Sequence, residues 1–303
     1  MTNSDLYLEL QYSTGCPVCM QEPMSKHTSW CIGGPADMLL KPRHEQDFRQ
    51  ALIFARHHGL PVTVIGNGTN LLVADQGIRG IVIKIGQGLA DLEVQGQMIY
   101  AGAGVPLPLL ARKAMQAGLA GFEFLSGIPG TVGGALVMNA GANGCAIGEL
   151  VRQVMACDYA GNSYSINAQE LAFSYRHSSL AQMNIIVMGV VLQGKPDTAQ
   201  SIRNRMEIAL TRRRQAQPLE YPNAGSVFKN PTGDSAGRLI EQAGCKEMRV
   251  GGIQVSPRHA NFMVNLGGGT ASDVLEIVEQ VQQMVEKKYS IKLVMEVQKL
   301  GEF

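Results

Sequence analysis

The 303-residue sequence contains no apolar run long enough to span a bilayer. Its first residues also lack the basic segment and apolar core of a signal peptide. The six cysteines are scattered, which in a chain of this length is more typical of reduced thiols than of a disulfide framework. Together these absences predict a cytoplasmic protein. The formal net charge is only +1, so nothing favours nucleic acid or a membrane surface as a partner.

The sequence is also poor in metal-binding patterns. Its one close cysteine pair is Cys16-Pro-Val-Cys19, with His27 nearby. A structural zinc site needs about four ligands, and the sequence has no second Cys-x-x-Cys. Two thiols in an N-terminal extension are therefore favoured over a metal or redox site, and we predict no metal.

Glycine is abundant, with 35 residues, and one glycine-rich loop follows a predicted buried strand at Pro61–Ile65. The loop, Gly66-Asn-Gly-Thr-Asn70, is followed by Leu71 where the dinucleotide fingerprint has glycine. The next segments have the pattern of strands, whereas a Rossmann unit requires a helix. The sequence therefore excludes a Rossmann fold. The loop itself either binds phosphate through backbone amides or is an ordinary turn.

A second glycine-rich segment runs from residue 121 to residue 144. Structural turns account for two or three of its glycines, and the excess favours a long, flat ligand lying against the backbone. The glycines in question stand at positions 127, 130, 133, 134, 141 and 144.

The C-terminal third begins with a predicted helix that Asp197 could cap and that ends at Arg212–Arg214. These arginines either complement the helix dipole or contact a phosphate. The last predicted strand, Ile291–Gln298, alternates and puts Glu296 on the face opposite its apolar residues. That face is either solvated or lines a cleft.

The segment Asn223–Pro231 contains Ser226 with no histidine beside it and no Gly-x-Ser-x-Gly motif around it. A lone serine in a turn is usually a turn residue. However, Lys229 and Asn230 follow closely, so the loop is rich in hydrogen-bond donors.

These motifs, in this order, resemble those of the UDP-N-acetylenolpyruvoylglucosamine reductase family, in its shorter subtype without an extra substrate-covering segment. The resemblance covers nearly the whole chain beyond about residue 22. It rests on Lys26–Asp37, Gly66–Leu71, Gly127–Gly134, Phe173–Ser178 and Asn223–Pro231.

The resemblance implies an α+β fold, with a two-lobed FAD-binding region of the vanillyl-alcohol-oxidase (PCMH) type and a C-terminal α+β substrate-binding domain. The expected boundaries are an extension over 1–22, the FAD-binding region over 23–196 (lobes of about 23–88 and 89–196), and the substrate domain over 197–303. The resemblance further implies noncovalent FAD, with NADPH as co-substrate. The residues predicted to bind the cofactor are Gly66, Asn67, Gly68, Thr69, Asn70, Leu71, Gly127, Ile128, Pro129, Gly130, Thr131, Gly133, Gly134, Asn139, Gly141 and Arg214.

The resemblance also implies the reaction, in which the enolpyruvyl ether takes a hydride from the flavin at its methylene carbon and a proton at the adjacent carbon. Ser226 matches the family's proton donor. Arg176 and Glu296 match the residues that manage the charge of the substrate carboxylate, and the carboxyl of Glu296 should then have a raised pKa. The predicted substrate-binding residues are Tyr175, Lys229, Asn230 and His259.

Two other functions remain open on the sequence. One is an FAD-dependent oxidoreductase acting on a different hydroxy acid or sugar, against which the Asn223–Pro231 segment speaks. The other is a noncatalytic flavin- or UDP-sugar-binding protein, which the retention of Ser226, Arg176 and Glu296 disfavours. We expect a monomer whose partners are the UDP-sugar and NADPH.

Overall fold

The computed structural model describes residues 3–303, with side chains from residue 5 onward. The helices are α1 (Asn3–Thr14), α2 (Glu45–His57), α3 (Leu107–Gln116), α4 (Val132–Val137), α5 (Ala199–Ala216), α6 (Ala236–Gln242) and α7 (Ala271–Tyr289). The strands are β1 (Val18–Pro23), β2 (Pro35–Leu40), β3 (Val62–Ile65), β4 (Leu71–Val73), β5 (Ile78–Lys84), β6 (Leu92–Gln95), β7 (Met98–Gly102), β8 (Leu119–Ala120), β9 (Gly141–Ala142), β10 (Cys145–Ala146), β11 (Val151–Asp158), β12 (Ser163–Asn167), β13 (Phe173–Ser174), β14 (His177–Ser178), β15 (Ile185–Gln193), β16 (Lys195–Pro196), β17 (Arg249–Val250), β18 (Ile253–Val255), β19 (Met263–Asn265) and β20 (Gln298–Leu300).

The chain forms two compact units that interleave along the sequence. The first unit contains the described residues up to Met20, together with Met38–Asn67 and Gly80–Arg212. The second contains Gln21–Asp37, Gly68–Arg79 and Arg213–Phe303. Each unit has its own cluster of buried apolar side chains. None of the helices described is long and apolar enough to cross a membrane.

The first unit is built on sheets. A five-stranded antiparallel sheet has the order β12-β11-β15-β7-β6, and a four-stranded sheet has the order β1-β2-β5-β3. The β3–β5 pair is parallel, with Ile65 opposite Lys84. The carboxyl end of β3 therefore leads directly into the loop that begins at Gly66. Strands β4 and β5 follow this loop, as the sequence predicted, and no helix comes between them and the loop.

The helices of the first unit follow the apolar spacing of the sequence. In α2, Phe48, Leu52 and Ala55 recur at helical spacing and are fully buried along one face. Burying a leucine or phenylalanine side chain contributes about 1.5–3 kcal/mol, so this face holds the helix on the core. Pro106 precedes α3, and Gly118 follows its end with a φ of +67°, the left-handed conformation that favours glycine after a helix.

The second unit packs α6 and α7 onto an antiparallel sheet of order β17-β18-β19. The Trp30 indole is fully buried and donates a hydrogen bond to the Met263 carbonyl over 2.8 Å. At the start of α7, the carboxylate of Asp75 accepts hydrogen bonds from the backbone amides of Ala271 and Ser272. A carboxylate at this position satisfies two of the amides that a helix N-terminus leaves without partners.

Two predicted details are wrong. The segment Ile291–Gln298 is not a continuous strand, because it pairs through one bridge at Met295 and then joins β4 from Gln298 onward. The segment still buries Leu293 and Val297, so the alternation of apolar residues indicates which side chains are buried and does not indicate continuous strand pairing. In addition, Asp197 does not cap α5. The Thr198 hydroxyl accepts the Ser201 amide over 3.3 Å, whereas the Asp197 carboxylate pairs with Arg205.

Candidate active site

In the second unit, a turn at Asn223 sets the start of the segment that carries Ser226. The Asn223 side chain accepts a hydrogen bond from the Gly225 amide over 3.0 Å and donates to the Tyr221 carbonyl over 2.8 Å. Gly225 has a φ of +77°, and a Cβ added to it would meet nothing within 4 Å. This glycine is therefore needed for its backbone conformation and not for space.

Ser226 and Glu296 lie on neighbouring extended segments. Phe228 and Met295 form an antiparallel bridge, the Glu296 amide donates to the Val227 carbonyl over 2.8 Å, and the Lys229 amide donates to the Val294 carbonyl over 2.9 Å. Directly opposite residues of an antiparallel pair lie about 4.5–5.5 Å apart. The backbone thus places Glu296 beside the residue that follows Ser226.

The other side of this segment faces Asn261, which the sequence analysis did not single out. The Asn261 side chain accepts the Phe228 amide over 2.9 Å and donates to the Phe228 carbonyl over 2.8 Å. Its own carbonyl accepts the Val227 amide over 2.9 Å, and Ser226 forms a bridge with Phe262. The signal in the sequence is slight: a polar amide inside the otherwise apolar run Ala260–Val264.

The predicted substrate-binding residues of this unit have different surroundings. Lys229 is half-buried on the paired segment. The Asn230 side-chain carbonyl accepts the Ala236 amide at the start of α6 over 3.0 Å. The His259 ring packs against Phe262 at 4.8 Å between ring centroids, and its Nδ1 accepts the Asn261 amide. Burial lowers the pKa of His259, which keeps the ring neutral and Nδ1 available as an acceptor.

The part of the first glycine-rich loop that belongs to the second unit is tightly held. Gly68 has a φ of +66°, and a Cβ there would lie 2.0 Å from the His27 carbonyl oxygen. Asn70 donates from its side chain to the Glu296 carbonyl over 3.2 Å, and its own carbonyl accepts the Gln298 amide. Asn70, a predicted cofactor-binding residue, is therefore hydrogen-bonded to the backbone of Glu296, a predicted catalytic residue.

In the first unit, Gly66 contacts the start of α4. A Cβ on Gly66 would lie 2.4 Å from the Thr131 hydroxyl oxygen, and a Cβ on Gly133 would lie 3.0 Å from the Ala103 Cβ. These approaches bring the Gly66 loop and the Gly127–Gly134 segment together within one unit. The two glycine-rich stretches that the sequence predicted to hold one ligand are thus neighbours.

The structure changes the interpretation of the six glycines between residues 127 and 144. Gly133 is required by packing, Gly130 by a φ of +137°, and Gly144 by the two-residue turn between β9 and β10. A Cβ on Gly141 would lie 2.3 Å from the Cys145 carbonyl oxygen. Turns and left-handed backbone therefore account for two of the six, Gly130 and Gly144, as the sequence predicted, and contacts within the protein account for Gly133 and Gly141. Gly134 differs, because a Cβ there would make only an ordinary contact of 3.7 Å.

The donor set of these loops fits a large anionic cofactor such as FAD. Backbone amides of small residues, the Thr131 hydroxyl and the Asn67 amide are neutral donors suited to a pyrophosphate. The protein itself does not require Gly134 to lack a side chain, so that position leaves room against the backbone. The residues present are therefore compatible with the cofactor that the sequence predicted.

Arg176 lies in the two-residue loop of the β13–β14 hairpin. Phe173 pairs with Ser178, and Arg176 has a φ of +53°, which is unusual for a residue with a Cβ. Its Nη1 donates to the Gly141 carbonyl over 2.9 Å, and its guanidinium lies 5.4 Å from the ring centroid of the exposed Tyr175. Strained backbone that the surroundings maintain is found most often at functional sites.

Asn139 holds this hairpin through a side-chain hydrogen bond. Its buried side chain donates to the Ser174 carbonyl over 2.7 Å and accepts the Gly148 amide over 3.0 Å. Asn139 also has a positive φ, +43°. The sequence predicted this residue as a cofactor ligand, and the hydrogen bonds show that it also orders the backbone two residues before Arg176.

The arginines at the end of α5 differ in burial. Arg213 is half-buried, and burial lowers its pKa, whereas the predicted cofactor residue Arg214 is exposed. Both arginines lie in the last turn of α5, where a positive charge complements the helix dipole whether or not the side chain is buried. The contact of Arg214 with a phosphate stays a prediction.

The N-terminal cysteines are separated by their surroundings. Cys16 is buried and donates from its sulfur to the Asp47 carboxylate over 3.0 Å, while Cys19 is exposed. Burial raises the pKa of the Cys16 thiol, so the thiolate is disfavoured. Among the residues with described side chains, no group of three or more His, Cys, Asp or Glu could hold a metal ion.

Comparisons with known proteins match both parts of the chain. Residues 36–162 match an FAD binding domain, and residues 217–300 match the UDP-N-acetylenolpyruvoylglucosamine reductase, C-terminal domain. UDP-N-acetylenolpyruvoylglucosamine reductase of Moorella thermoacetica is 47% identical, with 97% of each chain covered. The enzyme of the same name from Desulforamulus reducens is 46% identical over the full length of both chains.

A solved structure agrees. The crystal structure of UDP-N-acetylenolpyruvylglucosamine reductase from Thermus caldophilus has a TM-score of 0.81 and 36% identity, covering 94% of this chain and 99% of that one. The α+β fold predicted from the sequence, an FAD-binding region followed by a C-terminal domain, is thereby confirmed. The chain belongs to the UDP-N-acetylenolpyruvoylglucosamine reductase family.

Proposed function

We propose that this protein is an NADPH-dependent flavoenzyme that reduces UDP-N-acetylglucosamine enolpyruvate to UDP-N-acetylmuramate for peptidoglycan synthesis. FAD, when bound, supplies the electron transfer between NADPH and the enolpyruvyl double bond. Family membership supports the reaction. The observation that carries the chemistry is the pairing of the Ser226 and Glu296 segments through the hydrogen bond from the Glu296 amide to the Val227 carbonyl.

Ser226 is proposed as the proton donor. Reduction of the double bond adds a hydride at the methylene carbon and a proton at the carbon that bears the carboxylate. An alcohol is a weak acid, so it protonates that carbon only if the negative charge spreading into the carboxylate is stabilised. The base that a serine nucleophile would need is not required for a serine acid.

Arg176 and Glu296 are proposed to manage that charge. A preorganised guanidinium at a developing oxyanion contributes about 10²–10³ in rate. The bond from Nη1 to the Gly141 carbonyl and the hairpin geometry support a fixed orientation for Arg176. The backbone pairing of Glu296 supports a fixed position for the main chain that carries its carboxyl group, and we propose that this group contacts the carboxylate end of the substrate.

The functional domains are proposed with the predicted bounds. Residues 1–22 form an N-terminal extension, residues 23–196 bind FAD, and residues 197–303 bind the UDP-sugar. The two glycine-rich segments, Gly66–Leu71 and Gly127–Gly134, hold the cofactor in this proposal. Their close approach at Gly66 and Thr131 supports it. Tyr175, Lys229 and Asn230 are proposed substrate contacts.

The cellular setting is proposed from the same reasoning. The protein acts in the cytoplasm as a monomer, without nucleic acid or membrane partners, and serves cell-wall synthesis, cell shape and division. A net charge of +1 supports the absence of a strongly charged partner. Light scattering of the purified holoenzyme tests this state, and a stable dimer at micromolar concentration would contradict it.

The two half-reactions test the function. The purified protein should show a flavin spectrum, lose it when NADPH is added without oxygen, and regain it when the enolpyruvyl UDP-sugar is added. Reduced flavin that the sugar fails to reoxidise would exclude this substrate.

Ser226→Ala should leave flavin reduction unchanged and slow reoxidation by orders of magnitude. The matched control is Ser235→Ala, because Ser235 caps α6 in the same unit through the Arg238 amide. Loss of this cap should cost about 0.5–2 kcal/mol of stability and leave both half-reactions unchanged. If Ser226→Ala keeps the normal rate of reoxidation, Ser226 is not the proton donor.

A further inference from the structure

The Asn261 side chain makes the two hydrogen bonds to the Phe228 backbone that a neighbouring strand would otherwise make. Along the segment from Val227 to Lys229, the Val227 carbonyl and the Lys229 amide bond to the chain at 294–296. The amide and carbonyl of Phe228 point the other way, and both are satisfied by Asn261. A buried peptide group without a partner costs about 1–3 kcal/mol, so this arrangement is strongly favoured.

The amide group suits this position because it carries a donor and an acceptor, as a peptide group does. Asn261 is 3% exposed, and its backbone carbonyl accepts the Val227 amide. One residue therefore makes three hydrogen bonds to the two residues that directly follow Ser226. These bonds fix the backbone from which the Ser226 hydroxyl projects.

Asn261 is itself held firmly. The His259 Nδ1 accepts the Asn261 amide over 3.2 Å, and the Ser256 hydroxyl accepts the amides of Arg258 and His259. The His259 ring packs on Phe262, the residue that bridges to Ser226. His259, predicted from the sequence as a substrate contact, thus also holds the loop that carries Asn261.

We infer that Asn261 is a positioning residue for the proton-transfer step, acting through the Phe228 peptide groups to orient the Ser226 hydroxyl. The inference rests on the proposed role of Ser226. It predicts a defect confined to the half-reaction that consumes the proton, because reduction of the flavin by NADPH does not use Ser226. A residue that served only the fold would not separate the half-reactions.

Asn261→Asp is the sharpest test. The carboxylate still accepts the Phe228 amide, but it cannot donate, and it places an oxygen against the Phe228 carbonyl. A misplacement of about 1 Å at a reacting group costs about 10²-fold in rate, so reoxidation by the sugar should slow by about that factor. Flavin reduction should stay unchanged in the holoenzyme.

The chain offers a matched control in Asn265. Its buried side chain also donates once, to the Trp30 carbonyl over 2.9 Å, and accepts the amides of Gly267 and Gly269. Asn265→Asp therefore removes the same kind of donor within the same unit. It should lower the melting temperature like Asn261→Asp and leave the ratio of the half-reaction rates unchanged.

The pH dependence gives a second readout. Burial raises the pKa of a carboxyl group, and the introduced carboxyl group, once protonated, would again carry one donor and one acceptor. The deficit of Asn261→Asp relative to the unsubstituted protein at the same pH should therefore narrow as the pH falls. If Asn261→Asp does not fold, Asn261→Ser, which is uncharged but reaches less far, should slow the same half-reaction and leave flavin reduction unchanged.

The outcomes separate the two proposals. If Ser226→Ala slows reoxidation but the Asn261 variants do not, or if they slow both half-reactions equally, the positioning role is wrong and the proposed function stands. An Asn265→Asp variant with the same selective defect would also overturn the positioning role. If Ser226→Ala has no effect, the proposed role of Ser226 fails first.

Discussion

The positive φ of Arg176 allows the role of its side chain to be separated from the role of its backbone. Arg176→Gly and Arg176→Ala lose the same contacts, the hydrogen bond to the Gly141 carbonyl and the stacking on Tyr175. Those losses cancel when the two variants are compared. What remains is the cost of a left-handed conformation for a residue with a Cβ, about 1–2 kcal/mol. Glycine gives back about 0.4–1 kcal/mol through its freer unfolded state.

The expected result is a more stable glycine variant, by about 0.5–1 kcal/mol in the free energy of unfolding, with equally low activity in both variants. Urea unfolding of the holoenzymes measures the first quantity, and reoxidation of reduced flavin by the enolpyruvyl UDP-sugar measures the second. The loss of a preorganised cation predicts slowing by about 10²–10³. Arg176→Lys, which keeps a charge without the planar fork, should recover part of the rate.

Two results would refute this reasoning. An alanine variant as stable as the glycine variant would mean that the hairpin relaxes and that no strain is held at residue 176. A glycine variant with normal reoxidation would mean that the guanidinium does not act on the substrate carboxylate. The second result would leave the fold intact and remove Arg176 from the mechanism.

Two further predictions concern the first unit. Gly134→Ala should leave the apoprotein at least as stable, because alanine favours a helix by about 1 kcal/mol over glycine and the new Cβ makes only a 3.7 Å contact. The affinity for FAD, titrated by flavin fluorescence, should fall. An unchanged affinity would show that the cofactor does not approach this residue. Hydrogen bonds, chiefly from the Asn162 side chain, lower the pKa of Asp158 to about 2. Because this folded value lies below the usual 3.8, the carboxylate stabilises the fold above about pH 4 and that contribution is lost as the pH falls through about 2. Asp158→Asn should therefore lower the melting temperature at neutral pH and match the unsubstituted protein near pH 2, and a constant difference across this range would contradict it.

Helices α2 and α3 can be recognised in the sequence because their signals are local. The spacing of Phe48 and Leu52 in α2 and the glycine after α3 depend only on residues a few positions apart. The last segment was misjudged because its alternation reported which residues are buried, whereas a strand also requires a neighbour with free peptide groups. The partner of Met295 lies 67 positions earlier, at Phe228, and no local pattern announces it.

The candidate site shows the same limit. Ser226, Arg176 and Glu296 were singled out through resemblance to a family, and nothing in the residue types alone distinguishes a proton donor from a turn serine. The glycines of residues 127–144 show a related limit. Their number suggested a ligand, yet Gly133 and Gly141 are explained by contacts within the protein. Close approach of backbone to backbone and of backbone to ligand both select glycine, so the count does not separate them.

In both units, a buried asparagine side chain hydrogen-bonds to backbone groups next to a proposed catalytic residue. The proposed catalytic residues Ser226 and Arg176 lie on irregular backbone, at an isolated bridge and in a two-residue hairpin loop. Irregular backbone leaves peptide groups unpaired, and an unpaired buried group is costly. Asn261 satisfies Phe228, two residues after Ser226, and Asn139 satisfies the Ser174 carbonyl, two residues before Arg176.

Asparagine fits this task better than its relatives. Aspartate at neutral pH has no donor, serine reaches less far, and glutamine fixes one more torsion for the same two bonds. A third buried asparagine among the described side chains is Asn265, whose side chain bonds to Trp30 and a glycine turn and to no proposed catalytic segment. An equal loss of stability in Asn261→Asp and Asn265→Asp, with a catalytic defect in the first alone, would therefore show that the position of the amide, and not its burial, determines what it contributes to the reaction.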